Sequence, residues 1–463
     1  MTAKELQKKL TFDYAAEAPD PEEMKEAFAF AEGYKKFLGV SKTEREFVHN
    51  SINVLEMAGY KPFDASKTYQ AGDKVFFNNR GKSLIMTTFG KKPLEEGLRM
   101  NAAHIDSPRL DLKAHPVFEK DGLAFFKPHY YGGIRKYQWT SIPLAMHGVF
   151  IRADGTTVPV SVGEDDADPK FYISDLLPHL SAKQDERKLK DGIRGEELNI
   201  IAGSLPYPKE DEEKLSEAVK LNLLNLLYER FGITEKDFVR AEIEFVPAAK
   251  PCDVGFDRAL IGAYGQDDKV CAYPALQAEM DTKNPEYTTV TIFADKEEIG
   301  SVGNTGLNSD FLLHYVEDLA EMAGANVRKV LRNSICLSSD VGAAFDPTFA
   351  DVYEKNNSCF LGRGVGLFKY TGARGKSGSN DASAELMAKV VGMMDQDRVH
   401  WQTGELGAVD MGGGGTVALF VAGKDVNVVD LGVPVLSMHS PFEITSKLDV
   451  YSAYCAYKAF YKN

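Results

Sequence analysis

No apolar run in this 463-residue chain approaches the roughly 18 residues that a membrane-spanning helix needs. The first residues, Met1-Thr-Ala-Lys-Glu-Leu-Gln-Lys-Lys9, lack the apolar core of a signal peptide. Basic charge is also short: 54 Lys and Arg stand against 68 Asp and Glu, a net charge of −14. That balance excludes a nucleic-acid partner, because phosphate binding needs a basic surface. Cysteine is scarce and unpaired in pattern. Cys252, Cys271, Cys336, Cys359 and Cys455 are odd in number and form no Cys-x-x-Cys, which reads as buried single thiols in a reducing cytoplasm. Repeats and low-complexity tracts are missing. Gly412-Gly-Gly-Gly415 lacks the Lys-Ser/Thr of a phosphate loop, so no nucleotide is expected there.

What is present is ordinary soluble composition, 44% hydrophobic and 26% charged, over a length that suggests two domains. Pro21–Glu32 reads as a helix with early acids, and Thr43-Glu-Arg-Glu46 as a capping box. Lys74–Phe77 and Ser83–Thr87 flank Asn78-Asn-Arg-Gly81, a hairpin signal. From about Leu112 to Val246 the texture changes. Short strand-like runs (Leu144–Ile151, Thr157–Val162, Phe238–Phe245) alternate with acidic loops at Glu164–Asp168 and Lys209–Lys214, with one helix near Leu215–Tyr228. Residues 112–246 are therefore expected to be an inserted, mostly β domain. Residues 1–111 and 247–463 form the remainder. After Pro251, helices at Cys271–Met280, Asp310–Ala323 and Ala382–Met394 alternate with strands. Such alternation implies an α/β fold with a largely parallel sheet covered by helices.

The informative feature lies at the ends of the strands. Thr289-Val-Thr-Ile-Phe-Ala294 leads into Asp295-Lys-Glu297-Glu298-Ile-Gly300. The carboxyl ends of such strands are where open α/β sheets hold ligands. Adjacent carboxylates there repel unless a cation joins them or one keeps a proton. A charged loop is the plain alternative. The same design recurs: Gly97–Ala103 leads into His104-Ile-Asp106, Ser334–Leu337 into Ser338-Ser-Asp340, and Val433–Leu436 into Ser437-Met-His439. Four strand ends would then deliver His, Glu, Glu, Asp and His to one sheet edge.

In His104-x-Asp106 the two side chains face the same way, so the Asp can hold the imidazole in one tautomer. Asp267-Asp268, in the turn Gly265-Gln-Asp-Asp-Lys269 before a helix, reads equally as an N-cap or as a carboxylate bridging two metals.

His104-Ile-Asp-Ser-Pro108, Asp295-Lys-Glu-Glu-Ile-Gly-Ser301, Ser339-Asp340 and Met438-His-Ser-Pro441 occur together in order. So do Tyr130-Tyr-Gly-Gly-Ile-Arg-Lys-Tyr-Gln-Trp139 and Leu177-Pro-His-Leu180. In these motifs the chain resembles the aspartyl aminopeptidase and vacuolar aminopeptidase I family of dinuclear zinc exopeptidases, over nearly its whole length. The resemblance implies a metallo-aminopeptidase that removes N-terminal residues from peptides. One zinc would take His104 and Asp340, the other Glu298 and His439, with Asp267 between them. Cobalt or manganese suits the same ligands. Glu297 would be the general base toward the attacking water, Asp106 would orient His104, and His179 would meet substrate from a neighbouring subunit. The resemblance further implies that the inserted domain mediates dimers, assembled into a tetrahedral dodecamer.

Two stretches depart from the family pattern. Asp267-Asp-Lys-Val-Cys271 stands where Asp-Asn-Leu is usual, and the run after Asp340 lacks the usual histidines. Arg374 and Lys376 remain as candidates for reading an acidic substrate side chain. Two other functions fit parts of the pattern: a dinuclear deacylase of N-acyl amino acids, and a catalytically silent assembly protein.

Overall fold

The computed structural model describes residues 1–12, 19–208 and 216–463. The acidic run Lys209–Lys214 and Leu215 lie outside the described residues. A nine-stranded sheet runs in the order Lys61–Pro62, Lys74–Asn79, Ser83–Thr88, Thr289–Ala294, Arg99–His104, Ile335–Ser338, Asn427–Gly432, Val365–Phe368, Trp401–Thr403. Its four central strands, from Thr289–Ala294 to Asn427–Gly432, are mutually parallel. The hairpin joins them antiparallel at one side, and Val365–Phe368 joins antiparallel at the other.

Alternation along these strands divides the core. Leu84, Met86, Ala103, Phe293, Leu337 and Leu431 face one layer. That layer includes helices Pro21–Gly39, Glu44–Met57, Gln266–Asp281, Ala384–Gln396 and Lys447–Lys462. Ile85, Met100, Ala102, Ile292, Cys336 and Val428 face the other, under Phe311–Met322, Val327–Asn333 and Ala418–Ala422. The expected capping box is present: Thr43 Oγ1 accepts the Glu46 N–H at 3.3 Å.

A second, seven-stranded sheet spans residues 109–247, with every pairing antiparallel. It carries its own apolar core, centred on Phe126, Phe150, Phe238 and Phe245 and covered by helix Ala218–Phe231. The expected strand Phe238–Phe245 begins late. Glu235–Arg240 is a 3-10 turn, capped where Asp237 accepts the Thr234 N–H at 2.7 Å, and the strand is Ala241–Pro247.

One expectation fails. Val433–Leu436 is not a strand of the large sheet. The sheet strand is Asn427–Gly432, and Pro434–Val435 leaves it to pair with Gly342–Ala343. An apolar run cannot by itself distinguish the sheet strand from the excursion after it. Among the described residues, no helix is long and apolar enough to cross a membrane. All five cysteines are free.

Candidate metal centre

The parallel register brings three strand ends level. Ala294 pairs with His104, and Ser338 with Ala102, so Glu297-Glu298, His104-Asp106 and Asp340 leave the same edge. Close passage of the chain holds Asp340 there. A Cβ at Gly432 would lie 1.7 Å from the Asp340 carbonyl oxygen, so only glycine fits. His439 arrives from the excursion beyond Asn427–Gly432.

Asp267 sits between the histidines. Its Oδ1 lies 3.0 Å from His104 Nε2, and its Oδ2 lies 3.2 Å from His439 Nε2. Asp340 Oδ1 is 3.7 Å from His104 Nε2, and Glu298 Oε1 is 3.5 Å from His439 Nε2. Asp267 and Asp268 are themselves non-helical and the peptide between them is cis, and the Asp267 carboxylate faces the two histidines. Asp106 meets His104 Nδ1 twice, with its backbone carbonyl at 3.0 Å and with Oδ1 at 3.3 Å. Its two carboxylate oxygens also accept the backbone N–H groups of Glu297 and Glu298 at 3.1 and 3.2 Å, and the Tyr131 hydroxyl donates to Oδ2 at 2.7 Å.

Several contributors were not visible in the sequence. Glu443 accepts the N–H of His439 at 2.8 Å and that of Asp267 at 3.1 Å. The carbonyl of Gly133 lies 2.8 Å from His439 Nδ1. Buried Lys269 donates to Ser107 Oγ at 2.6 Å, and Ser107 donates to the Asp267 carbonyl at 2.7 Å. Asp268, which the sequence did single out beside Asp267, accepts the His104 N–H at 3.2 Å, a contact the sequence did not foretell. These partners come from distant stretches that only the fold makes adjacent.

The residues fit metal ions. Donor atoms of His104, Asp267 and Glu298, of His104, Glu297 and Asp340, and of Asp267, Asp268 and Asp340 form three groups, each within 4.8 Å. Glu298 Oε1 is buried with no hydrogen bond, its nearest ionic neighbour being His439 Nε2 at 3.5 Å, an expensive state unless a cation uses it. Imidazole and carboxylate donors suit zinc. Electrostatics agrees. Burial, then the charge of Asp267, pushes Glu298 well above the usual carboxylate range. Burial does the same to Asp340 and raises Glu297 to about 7. Asp267 is lowered: burial opposes this, but the bonds from His104 and His439 outweigh it. So many touching carboxyls call for added positive charge.

A cavity of about 250 Å³ opens on this cluster, with apolar walls from Val341, Phe368, Leu406 and Met438. Among its lining residues there is no Lys or Arg, while Asp430 is one of them. Arg374 and Lys376 line a neighbouring hollow of about 230 Å³, where Lys376 pairs with Asp381 at 3.0 Å. His179 stands apart, exposed in the 178–180 turn and outside the cavity wall. The structure thus brings together His104, Asp106, Asp267, Glu297, Glu298, Asp340 and His439, and not His179.

Residues 37–461 match the family model for the aminopeptidase I zinc metalloproteases (M18). A relative from Clostridium acetobutylicum named as a probable M18 family aminopeptidase 1 is 49% identical over 452 residues, covering 96% of this chain and 97% of the relative. The crystal structure of aminopeptidase I from Clostridium acetobutylicum superposes with a TM-score of 0.92 at 45% identity, covering 98% of this chain and 100% of that one. More distantly, the S. cerevisiae mApe1 dodecamer structure shares the fold, with a TM-score of 0.76 at 20% identity over 94% of this chain and 96% of that one.

Proposed function

This chain belongs to the aminopeptidase I zinc metalloprotease family (M18), and from that premise we propose that it removes N-terminal residues from peptides with two zinc ions and Glu297 as general base. It is a zinc-dependent aminopeptidase, a hydrolase. The observation that supports two ions is the division of Asp267: one oxygen faces His104, the other His439. In this reading one zinc takes His104 and Asp340, the other Glu298 and His439, with Asp267 shared. Bound zinc supplies Lewis acidity to the scissile carbonyl and lowers the pKa of the attacking water.

The chain's own residues do the rest. Glu297 lines the cavity without being needed as a ligand. It takes the proton from the attacking water and returns it to the departing amine. Asp106 holds the His104 imidazole and anchors the backbone that presents Glu297. His179, exposed on the β-rich sheet's loops, is assigned to a neighbouring subunit's site, where its imidazole donates to the developing oxyanion. Residues 112–246 serve as the dimerisation domain, beside a catalytic domain of 1–111 and 247–463. The assembly in this reading is a tetrahedral dodecamer built from dimers; the mApe1 structure of the same fold is a dodecamer. Five free thiols support a cytoplasmic setting.

The test combines zinc analysis with turnover of peptides and of N-acyl amino acids. The parent should hold two zinc ions and cleave only peptides with a free N-terminus. Glu297→Gln should keep the zinc and lose at least about 100-fold in kcat. Preferential turnover of N-acyl amino acids, or a Gln variant of normal rate, overturns the assignment.

A further inference from the structure

Both histidines of the centre are held from behind by one turn of the β-rich sheet. Strand Leu123–Tyr131 ends beside the site and continues into Gly132-Gly133. Tyr131 is buried. Its hydroxyl donates to Asp106 Oδ2 at 2.7 Å, the carboxylate that meets His104. Its ring lies under the Arg109 guanidinium, 3.9 Å from the ring centre to Cζ. Arg109 is pinned in turn by Glu44 at 3.4 Å and Glu244 at 3.3 Å. Two residues on, the Gly133 carbonyl faces His439 Nδ1 at 2.8 Å. That contact keeps the proton on Nδ1 and points Nε2 at Asp267 and Glu298.

The turn fits closely. A Cβ on Gly133 would sit 3.3 Å from His439 Nδ1, and one on Gly132, where φ is +73°, 3.2 Å from Glu298 Oε2. Metal-binding imidazoles depend on the partner of their other nitrogen for tautomer and aim. Here one turn provides that partner directly for His439 and, through Asp106, for His104.

We propose that Tyr131 is a positioning residue for the metal centre, and that the Tyr131-Gly132-Gly133 turn sets the aim of both metal-binding histidines. The proposal rests on the two-zinc reading above. Tyr131→Phe removes only the hydroxyl and leaves the ring over Arg109. Gly133→Ala keeps the carbonyl and crowds the imidazole.

The experiment measures zinc affinity of the full-length protein by competition with a chromophoric chelator, together with kcat, KM and the melting temperature of the metal-free protein. In Tyr131→Phe, zinc Kd should rise about 10-fold or more and kcat should fall comparably, with KM within about twofold and metal-free melting unchanged. Gly133→Ala should weaken one of the two zinc ions more than the other. Affinity and kcat within about twofold of the parent in both variants overturn the proposal. So does a fall in metal-free melting that accounts for the loss. A parent chain that binds no zinc overturns the reading above and this proposal with it.

Discussion

Glu443 accepts the backbone N–H of Asp267 at 3.1 Å, so one buried carboxylate fixes the position of another, the one that lies between His104 and His439. Its other oxygen accepts the His439 N–H at 2.8 Å. Glu443→Gln keeps one acceptor and turns an amide N–H toward a donor. The expected result is a loss of about 10-fold in kcat/KM or zinc affinity, the scale for partners behind metal ligands. A Gln variant equal to the parent in both would show that neither contact matters.

Asp267→Ala removes the carboxylate shared between His104 and His439. Metal analysis should find far less than the parent's zinc, rather than full zinc with slow chemistry. If the variant still holds two ions per chain, the bridge lies elsewhere, with Asp268 next in line.

The cavity makes a statement about substrate. Its wall carries Val341, Phe368, Leu406 and Met438, no Lys or Arg, and the carboxyl of Asp430. An acidic side chain would be buried there with no Lys or Arg to pair with, at a cost of several kcal/mol. Leucyl chromogenic substrates should therefore exceed aspartyl and glutamyl ones by at least about 100-fold in kcat/KM. Faster release of Asp or Glu would place the recognition in the Arg374 hollow instead.

His147 joins the two sheets' territories. Its Nδ1 lies 2.7 Å from Glu46 on helix Glu44–Met57, and its Nε2 lies 2.9 Å from Glu164. Burial lowers its pKa, but Glu164 and Glu46 outweigh this and raise it to about 9. A raised folded-state pKa gives stability that is whole below the unfolded value, about 6.5, and lost as pH climbs through about 9. The stability gap between the parent and His147→Gln, on the order of 2–3 kcal/mol near pH 6, should shrink toward pH 9. A gap constant across that range in denaturant titrations would remove the charged imidazole from the account.

The centre was unevenly legible in the sequence. His104, Asp106, Glu297, Glu298 and Asp340 follow strands, and parallel neighbours in register share an edge, so their meeting was readable. His439 was readable as a residue but not by its route, because the apolar run before it is an excursion rather than a sheet strand. Asp267 was ambiguous: a turn before a helix looks the same whether its carboxylate caps or bridges. Tyr131, Gly133 and Glu443 act through a hydroxyl, a carbonyl and a carboxylate whose partners lie far along the chain. Only tertiary contact reveals such roles, and the altered Asp268-Lys269 pair gains meaning only once Lys269 is seen buried against Ser107.

Strand Arg109–Lys120 starts three residues after Asp106 and runs on into the antiparallel sheet, with one shift of register between Leu112 and Val117. Such continuity denies the β-rich segment the status of an add-on. Splicing residue 111 to 247 would sever the hold on both histidines at once, so no trimmed catalytic half can serve as a minimal enzyme. Nor can the segment be exchanged for a foreign one chosen only for its contacts with other subunits. A replacement must also reproduce a tyrosine hydroxyl and a glycine carbonyl behind the two histidines.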